Sequence, residues 1–73
     1  MMNERNNIRK AFEEAGWTLK TKLVSKDVFV KNGVTVMAHY KDEDRCTSCG
    51  IFNNGNKTLS DEAKNIIKEN KMV

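Results

Sequence analysis

The segment DVFVKNGVTV, residues 27–36, sets an Asn-Gly pair between two runs rich in β-branched residues. A two-residue loop of this kind needs positive φ at both central positions. Asn and Gly adopt that readily, and the loop's twist matches the strands it joins. It predicts a β-hairpin turning at Asn32 and Gly33, with arms DVFVK and VTVMAHYK. A tight hairpin joins only antiparallel strands, so a sheet grown from it is antiparallel.

The stretch before it, WTLKTKLV, alternates Trp17, Leu19, Thr21 and Leu23 against Thr18, Lys20, Lys22 and Val24. That period of two predicts a half-buried strand with a lysine-bearing face, and SKD after it reads as a turn. Beyond the hairpin, DEDR is a polar break, CTSCGIFN a fourth candidate strand and NNGNKT a loop.

Both ends carry the helical period. In ERNNIRKAFEEAG, Ile8, Ala11, Phe12 and Ala15 form one apolar stripe, with Asn3 as cap and Gly16 as stop. Glu4, Arg5, Arg9, Lys10, Glu13 and Glu14 are assigned to the solvated side. In LSDEAKNIIKENKMV, Ser60 is the expected N-cap, with Asp61 and Glu62 in the first turn. Ala63, Ile66 and Ile67 are its stripe, and Leu59 its staple.

The order α-β-β-β-(β)-α predicts a single α+β domain over residues 1–73. It is an antiparallel three- to four-stranded meander with N- and C-terminal helices packed on one face. The expected core is Ile8, Phe12, Trp17, Leu19, Leu23, Val28, Val30, Val34, Val36, Ile51, Ile66 and Ile67. That choice leaves Phe29, Lys31, Thr35, Met37 and His39 on the open side of the hairpin.

A chain of 73 residues buries only about 60% of its unfolded surface, which leaves little room for a deep, dry active site. There is no phosphate-binding Gly-rich loop, no nucleophile elbow and no placed triad, so no catalytic residue and no cofactor are assigned. No apolar run approaches the roughly 18 residues that cross a bilayer. MMNERNNIRK has no apolar stretch behind its charges, so no signal peptide is expected. These features predict a cytoplasmic protein with reduced thiols. A composition rich in Lys, Asn and Ile and free of Pro suggests a bacterial or phage origin.

Cys46 and Cys49, the only cysteines, are spaced C-x-x-C with Gly50 behind them. Three readings compete. A zinc knuckle would take Cys46, Cys49 and His39, with Asp42, Glu43 or Asp44 as a fourth ligand, or would pool two copies. A redox pair wants a helix after the first cysteine, which GIFN does not start. A plain strand puts residues three apart on opposite faces and leaves the thiols without a ligand. The strand is the leading reading, with zinc as the alternative.

Net charge is +3, and residues 17–41 hold five lysines against Asp27 alone. One functional reading is therefore a nucleic-acid-binding sheet face, with Lys20, Lys22 and Lys31 on phosphates and Phe29 stacking on bases. The element order α-β-β-β-α resembles the double-stranded-RNA-binding domain. The resemblance implies a lysine-rich start to the second helix. Ala63 and Lys64 fit that pattern, whereas Asp61 and Glu62 put acid where the family needs base. The leading reading is a non-enzymatic binding protein acting on an unidentified protein partner. An exposed strand edge, that of the first strand or of CTSCGIFN, is the natural surface for that partner or for a second copy, which would make a homodimer.

Overall fold

The computed structural model describes residues 4–42 and 44–72. It contains α1 (Glu4–Glu14), β1 (Thr18–Leu23), β2 (Lys26–Lys31), β3 (Val34–Lys41), β4 (Arg45–Asn53) and α2 (Lys57–Glu69). The strands form one antiparallel sheet in the order β1-β2-β3-β4, with both helices on one face, as the sequence predicts. Asn3, the proposed cap of α1, and Glu43, of the DEDR break, lie outside the described residues. No described helix is long and apolar enough to cross a membrane.

Asn32 and Gly33 turn the central hairpin with φ of 43° and 85°. The loop sets the register: Lys31 faces Val34, Phe29 faces Val36 and Asp27 faces Ala38. Directly opposed residues share a face. A two-residue turn therefore groups odd positions of β2 with even positions of β3. Phe29 and Asp27 go inside with Val34, Val36, Ala38 and Tyr40. Val28 and Val30 turn to the open side with Met37 and Thr35, which corrects the expectation that all four valines form one core face.

Two β-bulges shift the outer strands. In β1 the ladder steps from Leu19↔Phe29 to Thr21↔Val28, which leaves Lys20 as an extra residue. Leu19 packs inward before the bulge. Leu23, opposite Lys26, emerges on the open side after it and is 52% exposed rather than core. In β4 the extra residue is Thr47, between Tyr40↔Cys46 and His39↔Ser48. Cys46 and Cys49 consequently share the helix side, opposite Tyr40 and Ala38. The expectation of opposite faces fails because the bulge restores an even spacing.

Gly16, with φ of 90°, ends α1. The Trp17 N–H reaches Phe12 O at 2.9 Å and the Gly16 N–H reaches Glu13 O at 3.0 Å, the paired bonds of a Schellman cap. This closure swings the Trp17 ring edge-on to Phe12, 5.5 Å between centroids. α2 begins one turn before the expected Ser60. Asn56 is the cap, its side chain accepting from the Leu59 N–H at 3.3 Å, and Ser60 is buried inside the helix. The stretch Ser60–Lys64 is thus not the helix start that the RNA-binding resemblance requires, and the fourth strand departs from that family's order. At the far end Lys71 (φ 52°) and the Met72 N–H bond to Ile67 O repeat the Schellman pattern and bury Met72.

Candidate functional site

The helix side of the sheet is closed, and its polar groups are spent on holding it closed. Asp27, 0% exposed, receives two guanidinium groups from α1. Arg5 donates to it at 3.1 and 2.8 Å, and Arg9 at 2.8 and 2.9 Å. Arg5 also donates to the carbonyls of Leu23, Val24 and Lys26, tying α1 to the β1–β2 turn. It lies over the Tyr40 ring at 4.6 Å. Arg5 and Arg9 therefore leave the solvated face assigned to them. Burial is the largest influence on the Asp27 carboxyl and raises it. The hydrogen bonds from Arg9 and Arg5, with their charges, together outweigh it and hold the carboxyl below its ordinary value. The same bond to Asp27 raises Arg9.

Lys31 plays a similar part at the other end. Its ammonium donates to Ala15 O at 2.7 Å, at the negative end of α1, and pairs with Glu62 of α2 at 3.3 Å. The Trp17 indole N–H points at the same carboxylate, 3.4 Å away. Lys31 is thus a clamp between the two helices and not a free cation on the open side.

Neither cysteine has the setting of a reactive thiol. Burial pushes Cys46 up and pushes Cys49, with help from Cys46, up to about 12. The Cys46 thiol sits 3.4 Å from Ser48 O. His39 faces the open side, opposite Ser48, so the alternative ligand set Cys46, Cys49 and His39 is divided by the sheet. Among the described residues no group of three or more His, Cys, Asp or Glu is placed to hold a metal ion. Both thiols are expected to react with a maleimide at neutral pH at least about tenfold more slowly than in denaturant, because thiolate is the reacting form. Equal rates in native and denatured protein would contradict this placement.

Among the described residues no element covers the other, open side of the sheet. The pairing places four cross-strand rows on it. The first is Thr18, Val30, Thr35 and Phe52, and the second is Thr21, Val28, Met37 and Gly50. The third is Leu23, Lys26, His39 and Ser48, and the last is Lys41 with Arg45. Phe52 is 59% exposed, with its ring 3.6 Å from where a side chain on Gly50 would begin. Beside it Gly33, Thr35, Ile51, Phe52, Asn53 and Asn54 line an open hollow of about 450 Å³. The face carries no acidic side chain, and its charges, on Lys26, Lys41 and Arg45, gather at the end away from that hollow.

Of the residues assigned to nucleic acid, none forms a cluster on this face. Phe29 is buried, stacked on Phe12 with centroids 4.4 Å apart and rings 11° from parallel. Lys31 is the clamp just described. Lys22 stands opposite Asp27, on the helix side of the exposed edge, and Lys20 is the bulge residue. The exposed ring of the face is instead Phe52, and its basic residues are Lys26, Lys41 and Arg45. Counting outward from the Asn32-Gly33 turn would have identified Val28, Val30, Met37 and Lys26 as the open set. Phe52 requires knowledge of the Thr47 bulge, which no residue type announces. No protein-family model, curated protein or solved structure matches this chain.

Proposed function

We propose that this chain is a small non-enzymatic binding protein that works through the open face of its sheet, where it takes an apolar surface of a partner protein. The observation that carries this reading is the contrast between the two faces. One is sealed by helices, and the other leaves Val28, Val30 and Met37 only half-buried and Phe52 59% exposed. Contiguous apolar side chains of this kind on a small domain mark contact sites. Both strand edges are less suited to pairing. Each of β1 and β4 carries a bulge, and Lys20 and Lys22 lie along β1. Nucleic acid fits less well, since the face offers one exposed ring, on an edge strand, and aliphatic side chains at its centre. Composition supports a bacterial or phage setting.

The test is a photo-crosslinking residue at Phe52, with a control at Lys64 on the exposed side of α2, in protein expressed in cells. A protein adduct at position 52 and none at position 64 supports the reading. A nuclease-sensitive adduct at position 52, or no adduct, contradicts it.

A further inference from the structure

We infer that the partner of the open face is a second copy of this chain, stacked face to face with its strands antiparallel to those of the first. This rests on the open face being the contact surface. The side chains of the face select the occupant. Its centre is uncharged: Thr18, Thr21, Val28, Val30, Thr35, Met37, Gly50 and Phe52. Two such centres meet without an unpaired buried charge, and β-branched rows interdigitate as they do between packed sheets. No other described surface of the chain could supply the apolar half of the contact. The exposed sides of α1 and α2 carry Lys10, Glu13, Glu14, Lys57, Asp61, Lys64, Lys68 and Glu69.

The charge pattern selects the orientation. Stacking the copies with basic ends together would set Lys26, Lys41 and Arg45 against their own images, a like-charge contact that excludes that arrangement. A two-fold axis across the strands, between the row of Val28 and Met37 and the row of Val30 and Thr35, lays the uncharged rows of the two copies on each other and places the cations at opposite ends. Lys26, the cation nearest the axis, is then six residue rises from its own image, about 20 Å. That exceeds the screening length of about 8 Å at physiological salt. In this arrangement Lys26 and His39 of the second copy come over the Asn32-Gly33 end of the hairpin, beside the hollow that Gly33 and Asn54 help to line.

The size of the face sets the strength. It has fourteen residues, fewer than the roughly 20–30 a side of a standard interface. A reversible dimer in the micromolar range is expected rather than an obligate one.

Sedimentation equilibrium of the purified chain, from about 1 to 500 μM, spans that range. The expected result is a shift from the 8.4 kDa monomer to twice that mass. It should strengthen in moderate salt, as screening relieves the residual repulsion between two cationic chains. Met37→Lys and Phe52→Lys should each weaken dimerisation at least about tenfold. Because both residues lie outside the closed core, the melting temperature of the monomer should hold, and Lys64→Glu is the neutral control. A monomer at all concentrations overturns the second copy. In that case a protein adduct at position 52 in cells would leave the binding face standing with a different partner, and its absence would remove both. A dimer insensitive to Met37→Lys and Phe52→Lys also overturns the proposal.

Discussion

Asp27→Asn is expected to cost about 3–5 kcal/mol of folding stability, the usual loss when one partner of a buried ion pair is removed. The whole stability of a domain this size is only ~4–11 kcal/mol. The substitution keeps the shape of the side chain and removes its charge. It therefore leaves the buried Arg5 and the part-buried Arg9 facing an amide. Thermal unfolding followed by circular dichroism should fall by roughly 15–30 °C. A fall of only a few degrees would mean that the guanidinium groups find other partners. Acid should produce a weaker form of the same effect. The carboxyl is held below its ordinary value of 3.8 in the folded chain. Its contribution is therefore complete above the unfolded value and is lost as pH falls through the lower folded one. Stability of the native chain should drop steeply below about pH 4, and that drop should be largely missing in the Asn variant.

Phe29→Ala is the second large effect, about 3–5 kcal/mol from lost burial and the cavity left behind. Its ring lies between the sheet and Phe12, which in turn meets Trp17, so the cavity opens at the centre of the helix–sheet contact. Val28→Thr and Val30→Thr, on either side of it in the same strand, should each cost under about 1 kcal/mol in the monomer. Chemical denaturation of the three variants measures the phase of β2. The reverse ranking would put the valines inside and Phe29 out.

The phase of β2 is the place where counting apolar residues misleads. Four valines around one turn look like a common face, yet a two-residue turn forbids it, because Val30 must stand opposite Thr35. That information is in the sequence, in the turn length rather than in hydrophobicity. The stripe of Ile8, Phe12 and Ala15, the Gly16 stop and the Asn32-Gly33 hairpin are legible for the same reason: each rests on local geometry. Arg5 and Arg9 mislead because charge normally marks solvent. The clue to them is remote, a lone Asp27 at an inward position of the second strand. The bulges at Lys20 and Thr47 leave no mark, since neither residue type favours a bulge. They decide where Leu23, Cys49 and Phe52 point. Much of the open face is therefore legible only once pairing across strands is known.

The central claim is that the uncovered sheet face, and neither a strand edge nor the cysteine pair, is where this chain makes contact. Backbone amide shifts in a ¹⁵N-labelled sample, followed from about 10 μM to about 1 mM, test it residue by residue across the micromolar range expected of a small interface. The predicted result is progressive, saturable shifts at Thr18, Val28, Val30, Thr35, Met37 and Phe52. Weaker shifts are expected at Lys41 and Arg45, and none on the exposed sides of α1 and α2. A spectrum that does not change with concentration would remove the second copy, and shifts centred on Lys22 and the outer edge of β1, on Arg45–Ser48 alone or on either helix would contradict the account.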